Sequence, residues 1–286
     1  MIGPRILLLG NTGQVGWELN RTLLTLGELN AIDYPEIDMS DEENIRKVVR
    51  QAQPNLIVNA TAYTNVDQAE SEQDLAMAIN GYGPGILAEE ATKLGAALIH
   101  FSTDFVFDGT KETPYLELDQ PNPISAYGRT KYIGEKSVQS VDCMYLILRT
   151  SWVYSMRRPC FVTKVLKWAE TKKELRIVDD QVSSPSWARM LAEATAQIIA
   201  QGRDNPIEYI KGKKGIYHLA GAKSCSRFEW AQAIIKFYGI QEKVRIEPAK
   251  SDEFETAAKR PSYSFLDTSK VKKNFHIYPM EDLIFA

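Results

Sequence analysis

The sequence predicts an α/β fold built on a doubly wound parallel sheet, and three observations predict it. Short apolar runs recur at Arg5–Leu9, Leu29–Asp33, Leu56–Val58, Ala97–Phe101 and Tyr145–Leu148. Runs of this length without polar alternation read as strands buried on both faces. Helical stretches lie between them, and strands alternating with helices mean parallel pairing. Glycines stand at Gly10, Gly13 and Gly16, where the first run gives way to the first helix.

The first run closes at Gly10, and a helix follows from Trp17 to Leu26, stopped near Gly27. Ser40 and Glu43 have the spacing of a capping box, with Ser40 as the cap. The helix behind them ends at Gln53, because Pro54 cannot continue it. A long helical stretch from Asp74 to Leu94 is loosened by Gly81, Gly83, Pro84 and Gly85. Pro121 and Pro123 precede a helix from Ser125 to Ser137. Beyond Thr150 the rhythm loosens. Helices are expected at Phe161–Lys172, Trp187–Ala200 and Phe228–Tyr238, with short strands at Leu175–Val178 and Tyr217–Leu219. Residues 1–150 read as one domain, and 151–286 mostly as a smaller α/β domain interleaved with the sheet.

A chain of 286 residues can bury a sizeable core. Its 44% hydrophobic and 25% charged residues are those of an ordinary globule. The net charge of -3 excludes a general nucleic-acid binder, which needs a basic face to neutralise phosphates. Cys143, Cys160 and Cys225 form no CxxC and read as buried thiols in a reducing compartment. Ile6–Leu9 is far too short to span a bilayer, and the N-terminus lacks the pattern of a secretory signal. A cytoplasmic protein with no membrane partner is expected. His100, His218 and His276 fall in no metal-ligand spacing, so no metal is read from them. Trp168, Trp187 and Trp230 lie in expected helices and read as core.

The glycines carry the first functional signal. Gly10 permits a tight turn, Gly13 lets the backbone approach a pyrophosphate, and Gly16 lets the helix pack close to the strand. With the helix N-terminus offering free N–H groups and a positive dipole end to the phosphates, this is the strand–turn–helix fingerprint of a Rossmann dinucleotide site. Asp33 ends the second strand about 20 residues on, where a carboxylate binds the adenosine ribose. It favours NADH, because it repels a 2′-phosphate and no Arg or Lys follows at once to receive one.

Tyr127 and Lys131 are the second signal. Four residues apart on a helix, they share a face. Ketone reduction needs a proton donor at the carbonyl oxygen, and an ammonium beside a phenol lowers its pKa toward neutrality. The spacing recurs at Tyr132/Lys136 and Tyr209/Lys213, but only Tyr127 begins the helix at the mouth of the sheet. Tyr209 reads as part of a polar connecting segment. Thr103 or Ser102, at the end of the fourth strand, would set a hydroxyl on the same carbonyl.

Several blocks together resemble the dTDP-4-dehydrorhamnose reductase family of extended short-chain reductases. They are Gly10–Gly16, Asn59-Ala60-Thr61-Ala62-Tyr63-Thr64-Asn65-Val66-Asp67-Gln68-Ala69-Glu70, Ser102-Thr103-Asp104-Phe105-Val106-Phe107, Tyr127-Gly128-Arg129-Thr130-Lys131, Arg149-Thr150-Ser151-Trp152-Val153-Tyr154 and Arg260-Pro261. They span nearly the whole chain in the family's order. The resemblance implies NADPH- or NADH-dependent reduction of dTDP-4-dehydro-β-L-rhamnose to dTDP-β-L-rhamnose, the last step in making that sugar donor. It implies a catalytic set of Thr103, Tyr127 and Lys131. Cofactor positions are Gly13, Gln14, Val15, Asp33, Asp38, Met39, Ala62, Tyr63, Thr64 and Lys131, and nucleotide-sugar positions are Thr103, Asp104 and Trp152. Arg260 suits bidentate contact with a substrate phosphate, or a structural ion pair.

The chain departs from the family in three places. The loop Asp180-Gln181-Val182-Ser183-Ser184-Pro185-Ser186 has Ser183 where the family has glycine, which puts sugar specificity in question. Relatives carry a further helix after the position of Pro279, whereas this sequence runs only to Ala286. Some relatives dimerise around magnesium through a glutamate of the first helix. Glu18 matches it, but no second carboxylate matches near Arg189, so Glu18 reads as a surface residue. The resemblance thus allows a homodimer and a magnesium ion without requiring either. A related dehydratase would carry an acid directly after Asp104; Phe105 stands there instead, which leaves simple reduction. The alternatives are a reductase of another nucleotide-linked 4-keto sugar and a non-catalytic protein resembling the methionine adenosyltransferase β subunit.

Overall fold

The structure is a computed structural model that describes residues 3–281; Ala286 lies outside them. Its elements begin β1 (Arg5–Leu9), α1 (Gln14–Leu23), β2 (Glu28–Ile32), α2 (Glu42–Ala52) and β3 (Leu56–Asn59). Next come α3 (Gln73–Met77), α4 (Gly83–Leu94), β4 (Ala97–Thr103), α5 (Ala126–Gln139) and β5 (Met144–Thr150). Then follow β6 (Val153–Tyr154), α6 (Phe161–Thr171), β7 (Glu174–Val178), β8 (Val182–Ser183), β9 (Ser186–Trp187) and α7 (Ala188–Gln201). The last are α8 (Pro206–Lys211), β10 (Gly215–His218), β11 (Cys225–Ser226), α9 (Arg227–Phe237), β12 (Arg245–Ala249) and α10 (Ser269–Phe275).

Six strands pair in parallel in the order β2-β1-β3-β4-β5-β10. Strand β1 shows why its sequence lacks alternation. Ile6 and Leu8 pack with Leu19 and Leu23 of α1 and Leu191 of α7. Leu7 and Leu9 pack with Ile45 and Val49 of α2 and Leu87 and Ala91 of α4. Both faces are covered, so every position must be apolar. The winding reverses between β1 and β3, and a crevice opens there at the carboxyl ends of the strands.

Beyond Thr150 the chain forms short paired strands: β7 with β12, β6 with β9, and β8 with β11. Helices α6 and α9 pack together around Trp230. Strand β10 returns to the edge of the main sheet beside β5.

The structure moves several expected boundaries. Helix α1 starts at Gln14, directly after the turn, rather than at Trp17. Asp41, not Ser40, caps α2: its carboxylate accepts from Asn44 N at 3.1 Å, while Ser40 bonds Asp38. Aspartate is the better acceptor for a helix N-terminus, so it takes the role one residue later. The stretch expected from Asp74 to Leu94 is α3, a π-helical turn at Ala78–Tyr82, and α4. Tyr209 lies on the short helix α8, not in a connecting segment, because Asn205 caps it and Pro206 starts it. All three cysteines are free and buried.

One buried ion pair fastens α5 to the sheet. Glu135 accepts Arg149 Nε at 2.8 Å and Nη2 at 2.7 Å, and Ser102 Oγ donates to the same carboxylate at 2.6 Å. Both charged side chains are at most 1% exposed. Removing one partner strands the other charge away from water. The Glu135→Ala variant is therefore expected to lose about 3–5 kcal/mol of stability in urea denaturation, and a loss below about 1 kcal/mol would contradict the role of the pair.

Candidate active site

A cavity of about 750 Å³ occupies the crevice. Gly10, Gly13, Gln14, Val15, Asp33, Asp38, Met39, Ala62, Thr64, Tyr127 and Lys131 all line it. Its floor is the glycine turn. Gly10 has φ +86°, and a Cβ on Gly16 would stand 1.9 Å from the Gly10 carbonyl oxygen, so neither position tolerates a side chain. Gly16 is buried under the turn and does not line the cavity. Helix α1 has Gly13 at its N-cap and no side-chain cap. Its first N–H groups are thus left for an anion, which is the feature a dinucleotide needs. Tyr63 departs from the expected set. Its hydroxyl donates to Glu72 at 2.8 Å, and its ring packs against the cluster of Ala69, Ala76 and Ala126, outside the cavity lining.

Ser125 caps α5 by accepting from Gly128 N at 3.1 Å, and this sets Tyr127 and Lys131 at the cavity. The Thr103 hydroxyl stands beside the Tyr127 phenol, and Phe105 meets its ring edge-on at 5.8 Å. Ser102 spends its hydroxyl on Glu135, which leaves Thr103 as the hydroxyl at the phenol. Burial pushes the phenol up to about 12, with the nearby Thr103 hydroxyl opposing. The sequence led us to expect the opposite direction, from Lys131. The reason for the difference is where Lys131 points. Its ammonium donates to Phe101 O at 2.6 Å and lies 3.4 Å from His100 Nε2, and burial lowers it to about 8.

His100 is fully buried, and burial holds its imidazole well below the usual range. Its Nδ1 faces Asn59 Nδ2 at 3.1 Å. The Asn59 amide is oriented by Thr61, whose N and Oγ1 both donate to Oδ1. Neither Asn59 nor His100 stood out in the sequence, because each reads as an ordinary member of a buried strand.

A second cavity, of about 950 Å³, adjoins the first and shares Gln14, Thr64, Val153 and Pro159 with it. Trp152, Phe161, Lys164, Arg176, Arg227 and Arg260 are among the residues on its walls. Trp152 stacks on Trp230 at 5.6 Å and carries φ +40°, a strained value for tryptophan that the surrounding packing must enforce. The Arg227 guanidinium lies 3.6 Å over the Trp152 ring, and burial lowers it to about 9. Sequence reasoning missed Arg227, since only the fold brings α9 against Trp152. Trp230 is core, as expected, but Trp168 also lines this cavity. Arg260 makes an ion pair with Asp67 at 2.6 Å and bonds Ala258 O at 3.0 Å, while still reaching the wall.

Asp104 does not open into either cavity. Its Oδ2 accepts Ser264 Oγ at 2.5 Å and Ser183 Oγ at 3.1 Å, and its Oδ1 accepts Thr103 Oγ1 at 3.1 Å. Burial raises the carboxyl to about 6 against these bonds. The polar contacts of this carboxylate, expected at the nucleotide sugar, are made within the chain in this structure. Ser183, where the family has glycine, is buried and turned toward Asp104. Glu18, expected at the surface, is 8% exposed and pairs with Arg21 at 3.3 Å. Arg189 pairs with Glu193 at 2.7 Å. Among the described residues no group of three or more His, Cys, Asp or Glu is arranged to hold a metal.

The family model described as the RmlD substrate binding domain matches residues 4–281. The dTDP-4-dehydrorhamnose reductase of Burkholderia thailandensis is 37% identical, over 96% of this chain and 93% of that protein. A crystal structure of a dTDP-4-dehydrorhamnose reductase from Clostridium acetobutylicum superposes with TM-score 0.89 at 34% identity, covering 96% of this chain and 94% of that one. The dTDP-4-dehydrorhamnose reductase of Bacillus anthracis, in complex with NADP, gives TM-score 0.89 at 32% identity, covering 99% and 96%. The chain belongs to the RmlD family, that of the dTDP-4-dehydrorhamnose reductases.

Proposed function

We propose that this protein reduces the 4-keto group of dTDP-4-dehydro-β-L-rhamnose to give dTDP-β-L-rhamnose, with NADPH or NADH. One observation carries the reading: Tyr127 lines the cavity with the dinucleotide turn, and Phe105, whose ring meets it at 5.8 Å, lines the adjoining cavity walled by aromatic rings and cations. The relatives' names and the NADP in the Bacillus anthracis structure support it. We assign residues 1–150 mainly to the cofactor and 151–286 mainly to the sugar nucleotide, since Trp152, Phe161 and Arg227 come from the latter. Three buried free thiols fit a cytoplasmic setting, and no helix among the described residues is long and apolar enough to cross a membrane.

The bound cofactor supplies a hydride to the keto carbon. Tyr127, kept protonated by burial, gives its proton to the carbonyl oxygen as charge develops there. Thr103, whose hydroxyl donates to Asp104, stands beside the phenol and helps to place it. Lys131, one turn along α5, adds its positive charge and anchors the nicotinamide end. Arg227, Lys164 and Arg176 offer charge for a diphosphate, and Trp152 and Phe161 offer flat faces. Asp104 acts as a positioning residue, holding the Thr103 hydroxyl from behind.

Removing the proton donor should cost far more turnover than affinity. Tyr127→Phe is expected to lower kcat with dTDP-4-dehydrorhamnose by about 10²–10⁴-fold, read as nicotinamide absorbance, with cofactor still bound. Full activity in that variant would reject the mechanism. Lys131→Ala should raise the KM for cofactor and lower kcat together, and a change in neither would remove its dual role. Asp104 predicts a pH dependence. Its folded pKa of about 6 exceeds the ordinary aspartate value of 3.8, so the folded state holds the proton longer. Stability should fall as pH rises through about 4 to 6 and level off above. Asp104→Asn should lose that slope in urea titrations at several pH values; an unchanged slope would assign it to other groups.

A further inference from the structure

The adenosine end of the cofactor cavity holds a cation that the sequence did not place there. Arg158 reaches back across the cavity mouth to the glycine turn. Its Nε donates to Thr12 O at 2.7 Å and its Nη2 to Thr12 Oγ1 at 2.8 Å. Thr12 in turn donates its hydroxyl to Asp33 Oδ2 at 2.5 Å and its N–H to the same oxygen at 3.2 Å. The guanidinium therefore stands one hydroxyl away from the carboxylate that marks the adenosine ribose in such folds.

We propose that Arg158 receives the 2′-phosphate of NADPH and turns the cofactor preference of this chain toward NADPH; the proposal rests on the reductase reading above. Three observations converge on it. Among the described residues only Lys131 and Arg158 bring a positive side chain to this cavity, and Lys131 is buried at the opposite, Tyr127 end. The neighbouring Arg157 is elsewhere, over the Trp17 ring at 4.9 Å. Asp33, which alone would select NADH, is already engaged: Oδ2 by Thr12, and Oδ1 by Tyr34 N at 2.9 Å. A carboxylate whose oxygens serve the chain has less capacity to bind ribose hydroxyls and repels an incoming phosphate less. Arg158 is exposed and has five N–H groups, of which two are used, so a forked contact with a phosphate is open to it.

The test compares the wild type with Arg158→Ala and Arg158→Lys. Dissociation constants for NADPH and NADH are measured without sugar by tryptophan fluorescence, and kcat/KM for each cofactor with dTDP-4-dehydrorhamnose. In Arg158→Ala the NADPH-to-NADH preference should fall about tenfold, and Arg158→Lys should restore part of it. A ratio that does not move overturns the proposal. That holds if both cofactors weaken together, as for a contact with the shared pyrophosphate, and if neither does. A wild type that binds both cofactors but does not reduce the keto sugar would overturn the substrate reading alone, because the binding ratio is measured without sugar.

Discussion

A carboxylate and a guanidinium shut away from water hold the candidate catalytic helix in place. Glu135 lies one turn beyond Lys131 on α5, and Lys131 one turn beyond Tyr127. Residues four apart share a helix face, so the three form a ladder down one side of α5. The lowest rung is fixed by the forked bond from Arg149 of β5 and the hydroxyl of Ser102 of β4. Burying such a pair is costly, and only near-ideal geometry with added hydrogen bonds offsets it. What the fork supplies is register: it sets how far α5 slides and turns against β4 and β5, and hence where Tyr127 meets the crevice.

The same burial governs the chemistry above it. Desolvation favours the neutral forms, raising the Tyr127 phenol to about 12 and lowering the Lys131 ammonium to about 8. The Glu135 carboxylate opposes the second effect from below. Charge on Lys131 is thus maintained by a neighbour that also anchors the helix, while the phenol keeps its proton until a carbonyl oxygen takes it. An acid that stays protonated at rest suits the reductive direction.

Much of this was legible in the sequence. The glycine turn, Tyr127, Lys131 and the βαβ rhythm were, because each rests on local spacing. Neither Tyr132/Lys136 nor Tyr209/Lys213 lines the cavity beside Tyr127, although Tyr209 proved to be helical. What was not legible depends on contacts across many residues. Arg158 approaches Thr12, and Arg227 approaches Trp152, only after the later part of the chain folds over the crevice. The reading of Asp33 as a selector for NADH was sound for a free carboxylate. It did not include Thr12, whose hydroxyl occupies that carboxylate. Asp104 illustrates the same limit. Its motif matched a nucleotide-sugar position, but burial and the hydroxyls of Ser183 and Ser264 turn it inward.

The groups that can move a proton near Tyr127 are few, and their arrangement limits the reaction. Thr103 stands beside the phenol and donates to Asp104, and His100 faces Lys131 rather than the cavity. Phe105 presents a ring edge to Tyr127 where an acid would be needed to expel a hydroxyl from the sugar. Asp104 does not replace that acid, since both its oxygens are committed to hydroxyls of the chain and it opens into neither cavity. Ser183 strengthens this enclosure: a glycine there would leave Asp104 one hydrogen bond poorer. The departure from the family pattern at Ser183 thus places a hydroxyl against Asp104, behind Thr103. In the proposed mechanism Tyr127 supplies one proton, and one proton is what the reduction of a ketone by hydride requires.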